Sequence, residues 1–192
     1  MDKVIELLSN KLVDCYINHG FIDETKKNVY RYGTTVAVQS IINVVSTLII
    51  GLAFGLFFEN LCFFLVFRLI RKYSGGLHSE KFVICFSFSM ILNTLFLVAY
   101  KLFIIYPNFI FIIPTELVSC IIIVLLSPIT NTNKKISNKE FIVYKIVVAL
   151  ICAIVFSCSM ILICQNNILV YSFCMAVLLD GIFVVLGYLK SL

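Results

Sequence analysis

The stretch RKYSGGLHSEKFVIC, residues 71–85, decides how the chain folds, because it is a polar, glycine-bearing break between two strongly apolar segments. It contains His78, one of two histidines, and Cys85, one of eight cysteines. A thiolate is a nucleophile, and a neighbouring imidazole can take the thiol proton. If the protein performs covalent chemistry, this stretch is the predicted place for it.

The spacing of His78 and Cys85 leaves two interpretations open. Seven residues on one helix place two side chains on nearly the same face but about 10 Å apart along the axis. A direct contact therefore needs a non-helical His78, folded back over the first turns of the helix that follows. Gly75 and Gly76 supply the backbone freedom for that fold-back. The structural alternative is a loop histidine at a membrane surface and a small apolar cysteine in a helix.

Away from this stretch the composition is that of a membrane protein. The chain has 192 residues, 61% of them hydrophobic and 13% charged, with a mean hydropathy of +1.08. Several apolar runs reach the roughly 20 residues that span hydrocarbon. We predict an all-α fold: a polytopic membrane helical bundle of six transmembrane helices plus an N-terminal amphipathic interfacial helix. The predicted domains are an interfacial segment, 1–33, and a six-span domain, 34–192, that includes the motif at 71–85.

The amphipathic helix is predicted over residues 2–18, where Val4, Leu8, Leu12 and Cys15 or Tyr16 form one apolar stripe suited to the headgroup region. The second of the six spans looks short. The predicted spans cover approximately residues 34–53, 54–69, 82–100, 109–126, 141–163 and 169–189.

The basic residues predict the orientation in the membrane. Six spans place both termini on one side, and fourteen of the fifteen Lys and Arg residues then lie on that side, Lys101 being the exception. The positive-inside rule makes this side cytoplasmic, together with the motif. Thiols stay reduced there. The net charge of +5 is explained by topology, so no nucleic-acid partner is predicted.

The remaining cysteines and histidine predict no metal site or cofactor. The chain has no CxxC pair and no HExxH motif. Most cysteines lie in apolar spans, where they behave as small hydrophobes. Cys152, Cys158 and Cys164 recur every six residues, which scatters them around a helix. His19 is predicted to lie at the surface.

Three ionisable residues fall within the predicted spans: Arg68, Glu116 and Asp180. Such groups usually face the bundle interior and mark pairing or function. A structural pair of Arg68 with Asp180 is one interpretation, and Asp180 as the group that orients His78 is another. Glu116 lies too far toward the outer side to help the motif. An alternative function follows from these residues, a small transporter or transporter subunit with the three as its ion path.

The run from Arg71 to His78, followed by Cys85, closely resembles the signature of the accessory gene regulator B family, bacterial membrane peptidases that process quorum-sensing propeptides. Length, amphipathic N-terminus, six spans and a cytoplasmic motif also match that family. The segment from Ser127 to Lys135 resembles its second, weaker signature. The resemblance covers essentially the whole chain and implies a location in the bacterial cell membrane.

The resemblance implies a cysteine endopeptidase in which Cys85 is the nucleophile and His78 is its general base and then general acid. Arg71 and Gly76 match other motif positions, with roles in carboxylate binding or loop geometry. The implied substrate is a short autoinducer precursor peptide with an acidic C-terminal tail. Cleavage through an acyl-thioester would allow cyclisation to a thiolactone or lactone.

Further partners follow from the charges and from the size of the bundle. Arg71, Lys72, Lys134 and Lys135 lie on the face that must receive an acidic tail, and a purely topological role for them is the alternative. The interfacial helix is expected to contact membrane lipid. Six helices with one short span enclose little space, so we predict a homodimer, in which the spacing of Gly51 and Gly55 would allow close helix approach.

Overall fold

The computed structural model describes residues 2–21, 23–75, 82–106, 109–129 and 137–191. Within these ranges the chain is helical and contains no strand, which confirms the all-α prediction. A 3-10 turn, Glu24–Lys26, precedes the second helix. The α-helices are α1 Asp2–Asn18, α2 Lys27–Phe54, α3 Phe57–Ser74, α4 Phe82–Ile105, α5 Ile112–Leu126, α6 Asn138–Cys164 and α7 Val170–Ser191.

Long apolar helices make this a multi-pass membrane protein. Four helical segments within the described residues are long and apolar enough to cross a bilayer: Glu24–Phe54, Phe82–Ile105, Lys139–Cys164 and Val170–Lys190. The fourth predicted span forms α5, which is apolar but shorter. The second forms α3, whose last turn carries Arg71 and Lys72. The total of six spans therefore stays a prediction, as does the domain division after residue 33.

The fold divides into two compact units, Met1–Ile50 with Ser79–Asn93 and Gly51–His78 with Thr94–Leu192. In the first unit, α1 has two apolar stripes with different environments. Ile5 and Val13 are buried, with Ser9 between them. Leu8 and Leu12, which belong to the predicted stripe, are exposed. The predicted stripe therefore faces outward, as contact with lipid requires, while a second stripe packs inside the protein.

Ion pairs join α1 to the first turns of α2. Lys27 Nζ lies 2.8 Å from Asp14 Oδ1, and Arg31 pairs with Glu6. All four side chains are well exposed. Exposed pairs contribute only about 0–1 kcal/mol each. They therefore set the direction of α1, whereas its buried stripe supplies most of the attachment.

In the second unit, α7 is the central helix and packs against α3, α5 and α6. Stacked and edge-on rings connect it to the rest of the unit. Phe96 on α4 stacks on Phe63 with centroids 4.0 Å apart, Phe63 stacks on Phe67, and Phe67 meets Phe183 of α7 edge-on at 6.0 Å. Near the start of α7 lies an apolar cluster, which we define as Phe103, Ile112, Val170 and Cys174.

The turn between α2 and α3 corrects one expectation. Gly55 ends α2 with a φ of +69°. A Cβ on Gly51 would lie 2.6 Å from the side-chain amide nitrogen of Asn60 on α3. The close approach that Gly51 permits is therefore made to Asn60 of its own chain, while its predicted use in a dimer contact stays a prediction.

Candidate functional site

The end of α3 is fixed by the segment that follows α5. The backbone N–H of Ile129 donates to the carbonyl oxygen of Ser74 over 2.9 Å. Ser74 and Ser127 are almost fully buried. Residues 76–81 and 130–136, which follow Gly75 and Ile129 in the sequence, lie outside the described residues. We call Ser74, Gly75 and Ile129 the joint.

Gly75 is required at the joint for two independent reasons. Its φ of +76° lies in the region that glycine adopts without a penalty. A Cβ at this position would also stand 2.6 Å from the carbonyl oxygen of Ile129. That oxygen belongs to the backbone and has no rotamer by which to move away. A side chain at Gly75 would therefore require the backbone to move, while the predicted motif-supporting role of Gly75 stays a prediction.

Arg71 lies one turn before the joint and faces α7. Its guanidinium carbon stands 4.6 Å from the ring centroid of Phe183, a distance typical of a cation–π contact. Asp180 and Phe183 are three residues apart on α7, so they lie on one helix face.

The expected pairing of Arg68 with Asp180 is wrong. Arg68 is exposed on α3, and its guanidinium lies over the ring of Phe64 at 5.6 Å. Asp180, by contrast, is fully buried on α7. An exposed guanidinium and a fully buried carboxyl group do not form the expected pair.

Asp180 has an unusual environment for a carboxylate. Neither of its side-chain oxygens accepts a hydrogen bond from any described residue. Gly181, the next residue, packs close to Ser119 of α5. A buried carboxylate without hydrogen bonds is costly unless another charge compensates it.

Cys85 lies in the first turn of α4 and is exposed. It belongs to the first unit, together with α1 and most of α2. His78, Gly76, Lys134 and Lys135 fall outside the described residues, so their predicted roles stay predictions. The same holds for the fold-back of His78 and for its orientation by Asp180.

The other cysteines differ from Cys85 in their surroundings. Three are buried between helices, Cys120, Cys152 and Cys174. Cys158 and Cys164 are exposed but lie in the second half of α6, an apolar span. Among the described residues, no cluster of His, Cys, Asp and Glu could hold a metal ion.

Cys15 has the imidazole of His19 as a neighbour. The sequence analysis predicted only that His19 lies at the surface and did not predict this contact. The Sγ of Cys15 lies 3.7 Å from Nδ1 of His19, and His19 is exposed as predicted. The same Nδ1 lies 2.8 Å from the carbonyl oxygen of Cys15. A carbonyl only accepts hydrogen bonds, so Nδ1 carries a proton and is not free to take one from the thiol.

Glu116 is buried apart from the joint. The hydroxyl of Ser159 on α6 donates to its Oε1 over 2.7 Å, and its Oε2 has no partner among the described residues. Ser127 follows Glu116 by eleven positions, which corresponds to about 16 Å along a helix. With Arg68 exposed, the three residues of the transporter alternative do not face one shared interior path.

Two cavities in the described part of the chain lie away from the joint. One of about 450 Å³ is lined by polar residues, including Glu59, Tyr100 and Gln165. The other, of about 310 Å³, is an apolar groove between α5 and α6 that includes Cys120 and Cys152. Neither touches Arg71 or Cys85.

Sequence reasoning missed the joint, because a backbone contact between α3 and the segment after α5 leaves no sequence pattern. Phe183 was also missed, since one phenylalanine in an apolar span looks like any other. The one available signal was Asp180, an ionisable residue in a span that must find a compensating charge.

Comparison with known proteins places these features in a family. The family model for accessory gene regulator B matches residues 5–185. The chain belongs to the accessory gene regulator B family. This match includes the joint, Arg71, Cys85 and Asp180, and it confirms the resemblance found in residues 71–85.

Two curated relatives come from Clostridium perfringens. "Putative AgrB-like protein 2" of strain 13 / Type A is 33% identical over 93 residues, which cover 48% of this chain and 42% of the relative. "Putative AgrB-like protein" of strain SM101 / Type A is 34% identical over 93 residues, with the same coverage. The alignments thus span less than half the length of either accessory gene regulator B-like relative. No solved structure matches the chain significantly.

Proposed function

We propose that the protein is a membrane-embedded cysteine endopeptidase that removes the C-terminal tail of a short autoinducer precursor peptide for quorum sensing. The observation that carries the proposal is the family match over residues 5–185. Cys85 is the last residue of the motif and lies at the start of α4, and its exposure supports the proposal. A nucleophile must be reachable by the substrate carbonyl, which a cysteine buried between helices is not.

In the proposed reaction, the sulfur of Cys85 attacks the carbonyl carbon of the peptide bond before the acidic tail. His78 accepts the thiol proton and then gives a proton to the departing amine as the carbon–nitrogen bond breaks. The remaining peptide is held as a thioester on Cys85. A thiol or hydroxyl within that peptide then displaces Cys85, which closes a thiolactone or lactone ring and returns the free thiol.

Arg71, Lys72, Lys134 and Lys135 contribute positive charge on the face that is predicted to be cytoplasmic, which suits an acidic tail. Membrane lipid is the proposed contact of the exposed face of α1. A homodimer is part of the proposal, with partner helices closing the space beside the motif. Crosslinking in native membranes, followed by sizing in mild detergent, tests it, and a fully active monomer would exclude the requirement.

The test of the proposed function is co-expression with a candidate precursor peptide that carries Cys or Ser before an acidic tail. Mass spectrometry then follows the tail and the cyclic product. We expect Cys85→Ala to abolish both products while the protein stays in the membrane, since no acyl-enzyme forms without the thiol. Full processing by Cys85→Ala would refute the mechanism and would be the result expected of a transporter.

Three control variants match Cys85→Ala in chemistry but not in position. Cys15→Ala removes the thiol that has a neighbouring imidazole. Cys158→Ala and Cys164→Ala remove exposed thiols of α6. All three are expected to process the peptide normally. Loss of processing in one of them, with Cys85→Ala active, would identify a different nucleophile.

A further inference from the structure

The cavity of about 450 Å³ lies at the start of α3, away from the joint, and we call it the polar pocket. It is lined by Glu59, Tyr100 and the turn 165–169 between α6 and α7. Glu59 precedes Ser74 by fifteen positions, which corresponds to about 22 Å along a helix. We propose that the polar pocket binds a primary ammonium group, with the carboxylate of Glu59 as its counter-charge. This binding site is independent of the proposed peptidase activity.

Glu59 supplies the charge of the polar pocket. It is partly buried, and in the described part of the chain no hydrogen bond or ion pair involves its carboxylate. Lys101, the basic residue predicted on the same side of the membrane, places its ammonium 5.2 Å from the ring centroid of Phe54 instead. Glu59 also lies in the first turn of α3, where the helix dipole favours a negative charge. That position explains the charge, but it leaves the carboxylate oxygens open to a donor from outside the chain.

The turn between α6 and α7 is held by its own hydrogen bonds. Asn166 has a φ of +51°, and its N–H donates to the carbonyl oxygen of Ile163 over 2.9 Å. The N–H of Asn167 donates to the carbonyl oxygen of Leu162, also over 2.9 Å. These two bonds form the pattern of a Schellman motif. The Oδ1 of Asn167 accepts from the N–H of Leu169. The rim of the polar pocket is therefore fixed before any ligand binds.

The groups around the polar pocket favour a cation over an anion. α6 ends here with Gln165 as its C-cap and with no basic residue in its last turn, so the negative end of its dipole has no compensating side chain there. At the start of α7, the N–H groups of residues 170–172 already donate to carbonyl oxygens of residues 167–169. An anion would therefore find few backbone donors. An ammonium group would find the carboxylate of Glu59 and the side-chain carbonyls of Gln165 and Asn166.

The size and depth of the polar pocket suit a small ammonium-bearing group. Tyr100 is a fixed wall, because its ring lies edge-on to the rings of Phe96 and Tyr171. The volume is within the range of small-ligand sites. The predicted spans that border the pocket all begin or end at it, which corresponds to headgroup depth. The ammonium group can thus belong to an aminophospholipid or to a free small amine, and both would form the same charged hydrogen bonds with Glu59.

The experiment has two arms, both with the full chain in lipid bilayers. In the lipid arm, the bilayer holds phosphatidylethanolamine and phosphatidylcholine in equal parts, and native mass spectrometry measures which lipid stays bound. The two headgroups share a phosphate, but the quaternary ammonium of phosphatidylcholine has no N–H donor. In the amine arm, ethanolamine is titrated into bilayers of phosphatidylcholine alone. A water-soluble carbodiimide then activates carboxyl groups, the amine displaces the urea to form an amide, and peptide mass spectrometry locates that amide.

We expect a several-fold preference for phosphatidylethanolamine or a labelling of Glu59 that saturates with ethanolamine. Glu59→Gln should reduce the lipid preference about tenfold, the effect of losing a charged hydrogen-bond acceptor. Asn166→Gly removes one amide and retains the positive φ, which glycine adopts readily. It should weaken the lipid preference and raise the half-saturating ethanolamine concentration by a smaller factor. Glu24 is the internal control of the amine arm, since it is an exposed carboxylate outside the polar pocket, and its labelling should rise without saturation.

Each result decides for or against the site. A lipid preference that Glu59→Gln loses and Glu24→Gln keeps assigns the polar pocket to a headgroup. Saturable labelling of Glu59 without a lipid preference assigns it to a free amine. Equal retention of both lipids, or a preference that Glu59→Gln keeps, overturns the proposal if Glu59 is also labelled only in proportion to Glu24. If Glu59→Gln is absent from membranes, Asn166→Gly takes its place, and unchanged values in both arms overturn the proposal.

Discussion

The joint and the apolar cluster hold the second unit together in different ways. The joint is a contact between backbone atoms. The N–H of Ile129 donates to the carbonyl oxygen of Ser74, and the missing side chain of Gly75 leaves room for the carbonyl oxygen of Ile129. The apolar cluster instead consists of interlocking side chains around Phe103 and Val170. Side chains can repack when a neighbour changes, whereas a backbone contact has no rotamers. The joint should therefore respond to substitution far more sharply than the cluster.

Gly75→Ala is expected to have the largest effect. Alanine is disfavoured at the positive φ of this position, and its Cβ would collide with the carbonyl oxygen of Ile129. We expect a loss of more than about 2 kcal/mol from strain and steric overlap, together with loss of peptide processing. Thermal unfolding in mild detergent measures the loss of stability, and mass spectrometry of the released tail measures the loss of processing.

Gly33→Ala is the control for that prediction. Gly33 lies within α2, and nothing stands within 4 Å of the place where its Cβ would be. Alanine favours a helix over glycine by roughly 0.5–1 kcal/mol, so stability should rise slightly or stay unchanged. Equal losses from the two variants would contradict the role given to the joint.

An intermediate effect is expected between α5 and α6. Ser159→Ala removes the donor that reaches Glu116 and leaves a buried carboxyl group without it. The expected cost in unfolding free energy is about 1–3 kcal/mol. Glu116→Gln retains an oxygen that can accept from Ser159 and should cost less. Thermal unfolding of both variants gives the order, and a larger loss for Glu116→Gln would show that the negative charge itself matters.

The smallest effect is expected in the apolar cluster. Phe103 stacks on Tyr171 with centroids 4.3 Å apart. Phe103→Leu loses the aromatic pair but keeps an apolar side chain, which corresponds to about 0.5–1.5 kcal/mol. Peptide processing should not change. A loss of processing as large as that of Gly75→Ala would remove the distinction between the two regions.

The sequence predicted helices well where the pattern was local. The amphipathic helix at 2–18 and the start of α4 at Phe82 agree with the structure. The end of α3 differs from the prediction. The second span was expected to stop near Leu69, whereas the helix continues to Ser74. Arg71 and Lys72 look like a boundary in the sequence. In the structure Arg71 packs against Phe183 in the last turns of α3. A contact with a residue so distant in sequence cannot be read from a local pattern.

The candidate site shows the same limit. Cys85 and Gly75 were found because the motif places unusual residue types close together. The partner of Asp180 was assigned to Arg68, since proximity to the inner side was the only criterion available. Whether Arg68 points toward α7 depends on the rotation of α3 about its own axis, which is set by contacts with α7. The direction of the Arg68 side chain therefore depends on packing between distant parts of the chain, which a local sequence pattern does not contain.

The joint also has a practical consequence for chimeric proteins. In the sequence, residues 76–81 follow Gly75 and residues 130–136 follow Ile129, and the backbone contact of Ile129 with Ser74 holds these two starting points together. Exchange of either segment with a relative should preserve the scaffold when the crossover lies beyond these two residues. A crossover between Arg71 and Gly75, or between Ser127 and Ile129, would pair unrelated halves of one backbone contact. Swaps of substrate preference are thus best built as loop grafts on an unchanged α3, α5 and α7.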